Sequence, residues 1–138
     1  MIAQSGSYRD TCSNCGAETR CTATEALIDE RLRWDVECFC PGCGEAWHEG
    51  GVGPSPAYVR NAIIAANGKS LLRISHAENV AAKIMKVMRD FEGVTISAAK
   101  RAADELRSEG RSGTLVELSR LANALRASGI AANVEKEG

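Results

Sequence analysis

The chain has 138 residues, 44% of them apolar and 25% charged, and a formal net charge of −1, the profile of a soluble globular protein with one ordinary domain or two small ones. Aromatic content is only 4%, so a core must rest on aliphatic residues and alanine, and a small module with few large apolar groups needs a staple such as a metal. No apolar run approaches the roughly 20 residues that cross a bilayer, and Met1–Arg9 lacks the apolar centre of a signal peptide. These features exclude a helical membrane protein and set the expectation of a reducing cytoplasm, where grouped cysteines act as metal ligands rather than disulfides. Charge is uneven: residues 1–48 carry −4 and residues 57–138 carry +4. The first part is therefore no strongly basic nucleic-acid clamp.

Met1 to Asp10 is polar and reads as a loose terminus. Cys12-Ser13-Asn14-Cys15-Gly16 follows, answered by Cys40-Pro41-Gly42-Cys43-Gly44. Four thiolates must converge at about 2.3 Å from a tetrahedral zinc ion. A two-residue gap lets a tight turn aim both sulfurs of a pair inward, and the glycine that follows accepts backbone angles a side chain resists. Cys12, Cys15, Cys40 and Cys43 are thus the expected ligands of one structural zinc, the alternative being two disulfides. Between the pairs, Trp34, Val36, Cys38 and Cys40 alternate with Arg33, Asp35, Glu37 and Phe39, the period of a half-buried strand. This strand is expected to pair with the Glu18–Ile28 segment around a turn at Asp29-Glu30 and to deliver Cys40 to the site. Over about residues 10–48 the pattern resembles the zinc-ribbon class, whose members serve many functions. Cys21 and Cys38 are left over and read as buried reduced thiols. His48 is an alternative ligand, unneeded beside four well-spaced cysteines. Nothing in the sequence couples either histidine, His48 or His76, to a cysteine, so thiol catalysis is not expected.

Residues 49–69 begin rich in glycine and proline and read as a linker. Ser55 as N-cap, Pro56 as first helical residue and Asn67-Gly68 as stop suggest a short helix from Ala57 to Ala66. Alternatively, Asn67-Gly68 turns a hairpin between Ile63-Ile64 and Leu71-Leu72.

Residues 70–136 are patterned more clearly. Leu71 to Ser75 reads as a strand. Val80, Ile84, Val87 and Phe91 mark one face of a helix from about Glu78 to Asp90. A second helix begins at Ile96 and runs through Ala99, Ala103 and Leu106, with Ser97 near its start and Glu109 to Gly113 as its stop. Thr114-Leu115 suggests a brief strand. Leu118, Leu121, Ala122 and Leu125 mark a third helix, Gly129 its C-cap, and Ile130 to Val134 a last strand. The fold class expected is α+β: a small β-hairpin zinc ribbon, then an α/β sandwich in the order β-α-α-β-α-β, with a three-stranded sheet covered by helices.

Lys83-Ile84-Met85-Lys86-Val87-Met88-Arg89, Gly93-Val94-Thr95-Ile96-Ser97-Ala98-Ala99-Lys100 and the stretch from Leu121 to Glu135 resemble the C-terminal domain of the bacterial large-subunit ribosomal stalk protein. The likeness covers about half the chain, and its Gly-x-x-x-x-x-Ala-Lys turn is the distinctive part. In that family two helices bind translational GTPases, and the matching positions are Met85, Lys86, Arg89 and Lys100. Methionines among cations also suit an adaptable protein-binding patch, against the plainer reading of a solvated basic face. The family's dimerisation helices and long hinge are absent, with cysteine knuckles in their place. The Clp protease adaptor has a similar fold, but where it carries an Asn-Asp pair this chain reads Ser75-His76-Ala77-Glu78-Asn79.

The expectation is a cytoplasmic, non-enzymatic binding protein that uses one structural zinc and docks a protein partner, a translational GTPase or the ribosome. The alternatives are a nucleic-acid-binding zinc-ribbon regulator and a protease adaptor. No paired carboxylates, nucleophile–base motif or phosphate loop can be placed.

Overall fold

The computed structural model describes residues 2–74 and 80–137. The protein is mixed α/β, with four helices and two antiparallel sheets of four and three strands among those residues. It divides into two compact units, Met1–Gly68 and Lys69–Gly138.

In the first unit β1 (Ile2–Thr11), β2 (Glu18–Ile28), β3 (Arg31–Phe39) and β4 (Ala46–Val52) form an antiparallel meander in chain order, followed by α1 (Ala57–Asn67). Alternation drives it: Thr19, Cys21, Ala23, Glu25 and Leu27 of β2 are buried, as are Leu32, Val36 and Cys38 of β3. Asp29 and Glu30 both adopt left-handed φ, +51° and +63°, as a two-residue turn matched to strand twist requires. Helix α1 covers the inward face, with Val59 and Ile63 packed on Cys21, Ala23, Val36 and Cys38. The fully buried Glu25 carboxylate accepts a 2.6 Å hydrogen bond from the Ser55 hydroxyl.

Four expectations are corrected here. The polar Met1–Asp10 stretch supplies the edge strand β1, with Ile2 to Asp10 paired to β2. Residues 49–69, expected as a linker carrying a short helix, do carry that helix as α1, but they also hold the end of β4, and α1 packs in the core. Ser55 does not cap α1; Pro56 is the N-cap residue and the helix begins at Ala57. Cys21 and Cys38 are not reduced thiols but a disulfide. The β2–β3 register sets these two residues directly opposite each other, an arrangement that the alternation of either strand alone does not reveal. The choice left open at Asn67-Gly68 falls to the helix, for Gly68 ends α1 with its N–H donating to the Ile64 carbonyl at 2.7 Å.

The second unit runs β5 (Ser70–Ile74), α2 (Ala81–Glu92), α3 (Ile96–Arg107), β6 (Arg111–Gly113), α4 (Leu115–Ala127) and β7 (Ala132–Lys136). Strand β5 lies between β6 and β7, antiparallel to both. Leu72 of β5, Ile84 and Met88 of α2, Ala99 and Ala103 of α3, and Leu121 and Leu125 of α4 form one buried cluster. Burying each large aliphatic side chain contributes about 1.5–3 kcal/mol against the entropy of ordering the chain. Thr114 is not in a strand. Its hydroxyl accepts from the Glu117 N–H while the Glu117 carboxylate accepts from the Thr114 N–H, a capping box that starts α4. The last strand begins at Ala132 rather than Ile130, which is buried in the core. The expected helix start at Glu78 and the Ser75–Asn79 segment lie outside the described residues.

Candidate metal centre

Each cysteine pair occupies a hairpin tip, the first between β1 and β2 and the second between β3 and β4. Because β2 and β3 are neighbours, both tips emerge at the same end of the sheet. The two knuckles repeat one design. The Cys12 N–H donates to the Ala17 carbonyl at 2.8 Å and the Gly16 N–H to the Cys12 carbonyl at 2.9 Å; Cys40, Glu45 and Gly44 repeat both bonds at 2.8 Å. Gly16 and Gly44 share a φ of +77°, which a side chain would oppose.

This turn brings Cys12, Cys15, Cys40 and Cys43 together, their four sulfurs all within 4.8 Å of one another. The Sγ atoms of Cys12 and Cys43 are 3.8 Å apart, and those of Cys15 and Cys40 are 3.5 Å apart. Four thiolates at the usual zinc–sulfur distance stand about 3.8 Å from each other along the edges of a tetrahedron. The separations therefore suit a tetrahedral ion, and the cluster can hold a metal. Cys12 and Cys40, the first cysteine of each pair, are buried, whereas Cys15 and Cys43 are exposed.

The thiols differ electrostatically. At Cys43 the Asn14 side-chain amide, 3.6 Å from the sulfur, and the Glu45 backbone N–H stabilise the thiolate and draw the pKa down to about 7. At Cys15 the Ala17 backbone N–H acts in the same direction, but the neighbouring sulfurs, that of Cys40 foremost, prevail and push it up to about 12. One thiolate forms readily in this cluster, and further negative charge is resisted until a cation arrives. Asn14 is a contributor that the cysteine spacing alone did not single out. His48 is not among the ligands: it lies on β4 against Asp35 of β3.

In the second unit Met85, Lys86 and Arg89 line an open groove of about 700 Å³, together with Val94 and Ile96 at the start of α3. Lys86 pairs with Asp90 at 2.9 Å. Lys100 is exposed on α3 but does not line the groove. Ile96, read from sequence as the first residue of a core helix, is 61% exposed; it follows the N-cap Thr95, where helical periodicity has only begun.

No protein-family model and no curated protein matches the chain. The candidate sites therefore stand on their own geometry and chemistry.

Proposed function

We propose that the chain is a non-enzymatic protein-interaction module in which one structural zinc ion holds the first unit and the stalk-like second unit docks a protein partner of the translation machinery. Zinc is favoured because four thiolates in tetrahedral arrangement are the donor set of structural zinc, with iron as the competing ion. The ion would serve as a staple, since the cysteine sulfurs occupy all four positions and leave none open for substrate.

The observation that carries the interaction reading is the α2–α3 groove, where the half-buried Met85 and exposed Ile96 lie beside the cations Lys86 and Arg89. Apolar side chains beside cations, with Lys86 paired to Asp90 of the same groove, suit an acidic, amphipathic protein segment that competes for Lys86 and meets Arg89. The same positions carry the resemblance to the stalk domain, which is why a translational GTPase or the ribosome is the partner proposed. A cytoplasmic location goes with that reading, in which case the Cys21–Cys38 disulfide would be a redox-responsive bond rather than a permanent one.

Affinity capture from native lysate tests it, with wild type beside the Lys86→Glu/Arg89→Glu double variant. The expected result is recovery of ribosomes or a translational GTPase by wild type and their loss with the variant, which keeps its fold because both residues are exposed. Recovery of neither, or equal recovery by the variant, overturns the assignment. Recovery of nucleic acid with steep salt dependence would instead favour a nucleic-acid-binding regulator.

A further inference from the structure

The Cys21–Cys38 disulfide and the cysteine cluster occupy the same end of the β2–β3 ladder. Cys38 precedes Cys40 by two residues, and both are buried. On β2, Cys21 shares the inward face with Thr19, which stands two residues nearer the first knuckle. The Arg20–Phe39 pair alone lies between the disulfide and the end of that ladder. Just beyond it the Cys15 and Cys40 sulfurs meet at 3.5 Å. A side-chain contact joins the two features as well. The buried Thr19 hydroxyl donates to the Asp10 carbonyl at 3.1 Å and lies 3.6 Å from the Cys21 sulfur. Asp10 stands two residues before Cys12. A disulfide sulfur carries no proton; reduction turns it into a donor that can pull on the Thr19 oxygen. The state of Cys21 thus reaches the first knuckle through Thr19, and that of Cys38 reaches the second through the backbone to Cys40. The core accommodates either state, because reduced cysteines pack as small apolar groups, here against Val59 and Ile63 of α1.

We propose that the Cys21–Cys38 bond is a redox latch on the metal centre. Oxidised, it holds the two knuckles together for zinc; reduced, it leaves their approach to the ladder hydrogen bonds alone and weakens zinc binding. The inference rests on the reading of the cluster as a zinc site and gives that site a means of control. The reductant is a thiol such as glutathione. Two of its molecules supply two electrons and two protons, the Cys21–Cys38 bond breaks to two thiols, and the reductant leaves as its own disulfide. Zinc changes no oxidation state. Linkage makes the effect reciprocal: bound zinc must favour the disulfide by the factor by which the disulfide favours zinc.

The test compares the full chain in three forms: oxidised, reduced with a phosphine that is then removed without air, and Cys21→Ala/Cys38→Ala. Competition with a chromophoric chelator measures zinc affinity, and amide spectra of the metal-free forms report the fold. Affinity should fall about fivefold or more in the reduced chain and in the double variant, with the first unit folded in all three. In a glutathione redox buffer, alkylation and mass spectrometry read the ratio of oxidised to reduced Cys21–Cys38. Zinc should raise that ratio by the same factor. Equal affinity in the oxidised chain and either other form, or a ratio indifferent to zinc, overturns the latch. So does a reduced metal-free chain whose first unit is unfolded, because the lost affinity would then report folding alone. Failure of every form to bind one equivalent of zinc would overturn the zinc reading itself, and the latch with it.

Discussion

Gly6 of β1 lies directly under the Ala62 carbonyl of α1: a Cβ at Gly6 would stand 2.8 Å from the Ala62 carbonyl carbon, closer still to its oxygen, and 3.1 Å from the Ala66 Cβ. The helix rests on the strand because that position has no side chain. The contact is extended by Asn67, whose side-chain amide donates to the Ser5 carbonyl at 2.8 Å. Gly6→Val should therefore lift α1 and destabilise the first unit by about 1–3 kcal/mol, the usual cost of overpacking. Hydrogen exchange checks it: α1 amides should lose protection while those of α4, in the other unit, keep theirs. Unchanged α1 protection would show that the strand yields instead.

The four thiols make metal uptake pH-dependent in a definite direction. Cys15, pushed up to about 12, is protonated at neutral pH and must give up its proton to the metal; Cys43, drawn down to about 7, is about half ionised there. Protons and metal compete for the same sulfurs, so apparent zinc affinity should rise as pH increases from about 6 to 9 and fall on acidification. Competition with a chromophoric chelator across that range measures it. In the metal-free chain Cys43 should alkylate faster than Cys15, although both are exposed, and zinc should protect both. Equal alkylation rates would contradict the electrostatic asymmetry.

The features legible in sequence are those encoded over short distances. The cysteine pairs and their glycines are local, and the structure brings all four sulfurs together. Helix α2 announces itself through Ile84, Val87 and Phe91, of which the first two are buried and the third is half-buried with the Arg120 guanidinium 4.1 Å over its ring. Strand β1 was hidden because its inward residues include the polar Gln4 and Gly6, the latter leaving clearance for α1 where a hydrophobic side chain would announce a strand. The Cys21–Cys38 bond and the closeness of His48 to Asp35 and Glu37 depend on cross-strand register. Two-residue periodicity reveals the face of a side chain and not its neighbour on the next strand. The end of β4 lies in a glycine-rich stretch with linker composition, and the pairing of His48 with Glu37 follows only once that stretch is a strand.

Thr114 is fully buried at the start of α4 and half of its capping box. Thr114→Ala removes the acceptor for the Glu117 N–H, which is 3.1 Å from the hydroxyl. The expected loss is about 1–2 kcal/mol, confined to the second unit. Thr114→Ser keeps the acceptor and should recover most of it. Denaturant unfolding of the three chains decides, and a serine variant as weak as the alanine variant would assign the cost to the lost methyl group.

The disulfide and the metal cluster constrain the same hairpin, and their stabilities should not add. Cys21 and Cys38 are 17 residues apart and close the β2–β3 loop. In the chain-entropy description a loop of that size contributes about 3 kcal/mol by restricting the unfolded chain. Cys15 and Cys40, with sulfurs 3.5 Å apart, flank that loop, so a metal bound to both already closes a slightly larger one around it. If the metal stays bound in the denatured chain, little freedom remains for the disulfide to remove; if unfolding releases the metal, each staple acts in full. Cys21→Ala/Cys38→Ala removes the disulfide without leaving a spare thiol near the cluster. The expected result is a loss of about 3 kcal/mol in the metal-free chain and a clearly smaller loss with zinc present at concentrations that keep the denatured cysteines occupied. Hydrogen exchange of β2 and β3 amides in the four states, with and without disulfide and zinc, measures the coupling. Equal losses in both metal states would mean that the two staples act on the chain independently.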